Sequence, residues 1–183
     1  RINNQSNANI EVNQDQSNQG VTFALSGSSS FGGTISIASG STMALQPSSS
    51  MQYAGNISGA GALTITGSNA TDRFAFGGNA THSGGTSVTN AVLQVGDGTG
   101  NTFNDHSGAL ALDANSTLEI NPGTSGTITS TITSAGTIKN ISSQDVTLSN
   151  ISAHTGPTSV ASDGSITFDV ASGRTLNLSG SIT

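Results

Sequence analysis

The residues best placed to do chemistry together lie between Asp97 and Asp113. Asp97, Asp105, His106 and Asp113 put three carboxylates and one imidazole close in the chain. Such a set could hold a divalent cation through hard oxygen ligands or divide general acid and general base work between two carboxyl groups. Each carboxylate also has a plainer explanation. Asp97-Gly98 and Asn104-Asp105 are turn dipeptides, and Asp113 opens a corner after an apolar alternation. Gly96-Asp-Gly-Thr-Gly100 has the look of an anion-binding loop. It lacks the Lys-Ser/Thr of a P-loop and the iterated nonapeptide of calcium-binding repeats, so it reads as a turn. His82 and His154 stand apart from other candidate ligands, and His154-Thr-Gly-Pro157 reads as a loop. No Gly-x-Ser-x-Gly elbow occurs. The Asn-x-Ser/Thr triplets, such as those at Asn56 and Asn115, are what so polar a chain produces by chance. Catalytic residues, cofactor-binding residues and metal ligands are therefore each assigned as none, and no cofactor is expected.

The elements that carry these residues are short. Apolar residues alternate with polar ones at Val21–Leu25, Thr34–Ile37, Thr42–Leu45, Met51–Tyr53, Leu63 and Ile65, Phe74 and Phe76, and Leu93 and Val95. The pattern continues at Leu110 and Leu112, Leu118 and Ile120, Thr127–Thr129, Val146 and Leu148, Ile166–Val170 and Leu176–Leu178. Gly, Asn, Ser and Asp separate them, and no segment is apolar at a period of 3.6, so every element is expected to be a strand.

Composition decides how such strands can assemble. Of 183 residues, 31 are Ser, 24 Thr, 24 Gly and 17 Asn, while 32% are hydrophobic and 8% charged. That is too little bulk for a conventional core, yet disorder would bring high charge and many prolines, and Pro is 3. A chain folded mostly by backbone pairing fits both facts. The net charge is −6 and the cations Arg1, Arg73, Lys139 and Arg174 are scattered, which argues against nucleic acid as a partner. There is no run of 18 apolar residues to span a bilayer as a helix and no signal-peptide core. The absence of Cys excludes disulfides and thiolate metal sites.

Self-similarity sharpens the expectation. Gly40-Ser-Thr-Met-Ala-Leu45, Asn115-Ser-Thr-Leu-Glu-Ile120 and Gly173-Arg-Thr-Leu-Asn-Leu178 share one pattern. Leu45 and Ile65 are 20 apart, and Leu118, Leu148 and Leu178 are 30 apart. The fold class expected is all-β, a parallel β-helix of roughly eight coils of about 20 to 24 residues. At about 4.8 Å per rung its rod would be about 40 Å long. Asn at the corners is expected to stack in ladders. Residues 1–183 form one solenoid segment, with 1–20 either its first coil or a frayed end. The pattern stops in mid-course at Ser181-Ile182-Thr183, as in a fragment of a longer rod.

Gly61–Gly98 resembles the autotransporter-associated β-strand repeat of bacterial autotransporter passenger domains. The family pattern runs G-x-L-x-x-x-G, then L-x-G-x-N-x-Y-x-G-x-T-x-V, then G-x-L-x-V-G. Gly61, Leu63 and Gly67 supply the first part, and Phe76, Gly78, Asn79, Gly84, Thr86 and Val88 most of the second. Leu93, Val95 and Gly96 supply the last. His82 stands where Tyr or Phe is usual and Ala91 where Gly is usual. The resemblance implies a right-handed parallel β-helix on the bacterial cell surface, attached to the outer membrane or secreted, and exported through its own β-barrel translocator. It also implies an adhesin or self-associating factor. Its partners would be like molecules on neighbouring cells, or host surface glycan or matrix. Two other functions fit the same chain: a carbohydrate-active β-helix of tailspike or lyase type, using the acidic residues around Asp97–Asp113, and a structural spacer within a larger surface protein.

Overall fold

In a computed structural model the described residues are 10–12, 22–27, 30–99, 108–161, 163–169 and 182–183. All regular structure among them is β. Taken along the chain, the first coil holds β1 (Ile10–Val12), β2 (Thr22–Gly27) and β3 (Ser30–Phe31). The second holds β4 (Thr34–Ile37), β5 (Thr42–Pro47) and β6 (Ser50–Tyr53), and the third β7 (Asn56–Gly59), β8 (Ala62–Thr66) and β9 (Arg73–Phe76). Next come β10 (Thr86–Thr89) and β11 (Val92–Val95), then β12 (Leu110–Leu112) and β13 (Thr117–Ile120). The upper coils hold β14 (Gly126–Ile128), β15 (Ile132–Ser134) and β16 (Thr137–Asn140), then β17 (Asp145–Leu148), β18 (Ile151–His154) and β19 (Thr158–Val160). β20 (Ser165–Phe168) follows.

Every pairing is parallel and joins a strand to its counterpart one coil away, so the chain is a parallel β-solenoid. Sheet I stacks β1, β4 and β7 and is extended by the bridge between Ile57 and Ala80. Sheet II stacks β2, β5, β8, β10, β12, β15 and β18, and sheet III stacks β3, β6, β9, β11, β13, β16 and β19. Sheet IV stacks β14, β17 and β20. Seven strands on each of sheets II and III give about six full turns, or about 29 Å of stacking at about 4.8 Å per step. The pairing of Thr42 with Ala62 makes one coil 20 residues, and that of Thr86 with Leu110 makes another 24.

The interior is built from columns. Met43, Leu63, Thr86, Leu110, Ile132 and Ile151 follow one another in register in sheet II. Met51, Phe74, Leu93, Leu118, Ile138 and Thr158 do so in sheet III. All are buried. Aromatic residues cluster across two adjacent coils of sheet III, with Tyr53 and Phe76 stacked at 5.8 Å and Phe74 and Phe76 at 6.3 Å. The Tyr53 hydroxyl donates to the carbonyls of Gly33 and Asn56 at 3.1 and 2.9 Å, and burial pushes its pKa up to about 12.

The structure places the sequence patterns on the coil. The 30-residue step from Leu118 to Leu148 spans a coil and a further side, since Leu118 lies in sheet III and Leu148 in sheet IV. The repeated Thr-apolar-x-apolar pattern likewise falls on sheet II at Gly40–Leu45 and on sheet III at Asn115–Ile120, while its third copy lies outside the described residues. At the described corners the close approach of coil to coil rests on glycine, while Asn56 Oδ1 accepts the Asn79 N–H one coil on at 3.0 Å. A Cβ on Gly78 would lie 1.7 Å from the carbonyl oxygen of Gly55, and one on Gly55 would lie 1.8 Å from that of Gly33. Asn side chains tie coils together by bonding backbone. Asn90 Nδ2 donates to Gly67 O at 3.2 Å, and Asn140 Nδ2 to Ser165 O at 3.0 Å.

Candidate functional site

The acidic group does not assemble from its described members. Asp97 follows β11 in sheet III, and its Oδ1 accepts the Thr99 N–H at 2.9 Å between Gly96 and Gly98, whose φ values are 88° and 78°. This is a turn closed by its own carboxylate. Asp113 follows β12 in sheet II, at a different corner of the coil. Its Oδ1 accepts the N–H groups of Asn90 and Asn115, both at 3.2 Å, and the Ser116 hydroxyl. It binds one coil to the next. Asp105 and His106 lie outside the described residues.

Both described histidines are interior, and here His154 departs from expectation. It is the last residue of β18, not a loop, and is as buried as His82. His82 Nε2 lies 2.9 Å from Thr86 Oγ1, and His154 Nε2 lies 2.9 Å from Thr158 Oγ1. The two sites share a sequence, His82-Ser-Gly-Gly-Thr-Ser-Val88 and His154-Thr-Gly-Pro-Thr-Ser-Val160. That heptapeptide is the signal by which the second site could have been found.

Each part of it has a physical reason. The imidazole points in before the corner, the threonine is the first inward residue after it, and the bond between them satisfies two polar groups in an apolar interior. The glycine is required because the corner rests on the corner below. A Cβ on Gly84 would lie 2.3 Å from Gly61 O, and one on Gly156 would lie 1.9 Å from Gly136 O. Room for the ring comes from a small residue one coil down. Pairing of Ile57 with Ala80 sets Gly59 beneath His82, and Ser134 pairs with His154. Burial lowers the pKa of both imidazoles, partly offset by the carbonyl of Gly85 for His82 and those of Ser134 and Pro157 for His154.

Two of the outer surfaces differ in character. On sheet III, Arg73 reaches along the stack to Gln94 and to Glu119, with 2.5 Å between Arg73 Nη1 and Glu119 Oε2. A shallow depression of about 210 Å³ lies nearby, lined by Gln52, Ala75, Gln94 and Asp97 among others. Its polar groups are largely engaged, since Gln94 Nε2 donates to Gly96 O at 2.8 Å and Asp97 holds its turn. Sheet II is different. None of its seven strands contains Asp, Glu, Lys or Arg. Ala44, Thr64, Ser87, Ala111 and Thr133 run in register along its outward side. At the top Thr133 Oγ1 and Ser152 Oγ lie 2.8 Å apart.

Groups of three or more His, Asp or Glu side chains close enough to hold a metal are absent among the described residues. Neither a protein-family profile, nor a curated protein, nor a solved structure matches the chain.

Proposed function

We propose that this chain is part of a bacterial cell-surface adhesin, an autotransporter passenger segment that associates side by side with like molecules. The observation that carries the proposal is the outward face of sheet II. It is the longest described sheet jointly with sheet III, it has no charged residue, and apart from the Gln46 amide its exposed side chains are methyls and hydroxyls. The rest of the chain gives a net charge of −6, so two copies repel unless they meet where charge is absent. Small side chains along this face let two copies approach closely. Each hydroxyl contact is weak, but stacked coils repeat it, and weak contacts on one rigid body add as multivalent binding does.

Sedimentation velocity of the intact chain is expected to show concentration-dependent association. Ser87→Asp with Ala111→Asp should abolish it, because like charges would face one another across the contact. Cells displaying the whole protein should clump, and cells displaying the double variant should not. A chain that stays monomeric at every concentration, together with unchanged clumping in the variant, would sink the proposal.

A further inference from the structure

His82 and His154 are 0% and 1% exposed, and each holds a threonine across a corner. A neutral imidazole suits this position, since its Nε2 and a hydroxyl complete each other. An imidazolium would set a charge inside columns of Ile, Leu and Val. The strands that build and underlie the His82 corner, β4, β7, β8 and β10, contain no Asp, Glu, Lys or Arg. The coil above reaches this corner through Gly108, whose Cβ would lie 2.7 Å from His82 O. Asp105 and His106, just before it, lie outside the described residues. Around His154, β15, β18 and β19 are also free of charged residues. Lys139 of β16 and Asp145 of β17 are exposed, and Arg174 lies outside the described residues.

We infer that the two His-x-Gly-x-Thr corners are acid-sensitive joints, closed while their imidazoles are neutral and opened locally when these are protonated. The direction follows from linkage. Burial holds both groups below the ordinary histidine range in the folded chain, so above about pH 6.5 they are neutral whether folded or not. Below that, the unfolded chain takes up protons that the folded chain refuses, and stability falls with pH until the folded-state values are passed. Each histidine can lower the folding equilibrium constant by up to about tenfold per pH unit in that window. Ordinary carboxylates titrate near pH 4, so the interval from pH 6.5 to 5 isolates the imidazoles.

Hydrogen exchange of the intact chain, corrected for the intrinsic pH dependence of exchange, tests this. Between pH 7.5 and 5.0, amides of residues 82–92 and 151–160 should lose protection before those of 42–66. His82→Gln with His154→Gln supplies non-titrating amides and should remove the difference. Unchanged protection at both corners in the native chain would overturn the inference, as would acceleration that persists in the double variant, which would assign the effect to other groups. If the double variant does not fold, the imidazole nitrogen resonances of the native chain decide the matter. Two histidines should titrate below the ordinary imidazole range, and ordinary titration of all three would overturn the inference.

Discussion

Thr86 and Thr158 occupy core positions that their neighbours in the same columns fill with Leu, Ile, Met or Phe. Leu63 and Leu110 flank Thr86, and Ile138 underlies Thr158. A hydroxyl is tolerated there because an imidazole four residues back meets it. Thr86→Val keeps the shape and removes the oxygen, so it should destabilise the chain by about 1–3 kcal/mol in urea unfolding. His82→Phe with Thr86→Val removes both polar groups and should recover much of that loss; equal destabilisation by the single and double variants would refute the account. The residue scale was half legible in the sequence. His82 stands in the sequence where an aromatic residue would, and it lies inside the coil. His154 looks like a loop residue in the sequence because Gly156 and Pro157 signal a turn, and the turn is real but begins one residue after the histidine. Turn chemistry marks the corner without telling which side chain before it points inward.

At the scale of the element, the corners set the rules and the strands obey them. Parallel strands a coil apart bring their corners into contact, and at that spacing a carbonyl oxygen can rest against a Cα only if no Cβ intervenes. Adjacent glycines separate this requirement from mere turn preference. A Cβ on Gly77 would meet nothing closer than 3.6 Å, whereas one on Gly78 would lie 1.7 Å from Gly55 O. Gly77→Ala should therefore change stability by no more than about 0.5 kcal/mol. Gly78→Ala should cost about 2–3 kcal/mol, because the backbone of the coil beneath must move. Denaturant midpoints of the two variants compare them directly, and similar midpoints would show that the corners are looser than their geometry. The strands themselves were readable from alternation. Those left out include β10, β15, β16, β18 and β19, in each of which a buried inward position holds Thr, Ser, Asn or His in place of an apolar residue.

At the scale of the whole molecule, each coil touches only the coils above and below, so stability is a sum over neighbours. A defect should then spread a short way. Gly78→Ala is expected to speed amide exchange in β7 to β11 and leave β15 to β19 close to native rates, which mass spectrometry of exchanged fragments can read. Uniform acceleration would mean that the rod opens as one unit. Pairings over 20 to 24 residues also leave few local contacts to start from, so folding should be slow for a chain of this size. Fold class was visible because alternation, turn residues and the lack of helical period all agree. Which side of the coil a motif occupies was not, because coils of unequal length keep no fixed phase with the sequence.

That loss of phase has a consequence for how such a rod can change. The two His-x-Gly-x-Thr copies begin 72 residues apart, and the first turns the chain from the sheet I side onto sheet II while the second turns it from sheet II onto sheet III. The distance is three circuits and one side more. Recombination between the copies would join corner to corner without a seam, yet everything beyond the junction would be rotated by one side of the prism. Strands that lined sheet III would then line sheet II, and a different surface would look outward along the same line. A gene of this kind can re-aim a face by losing or gaining a repeat, with no substitution in the face itself.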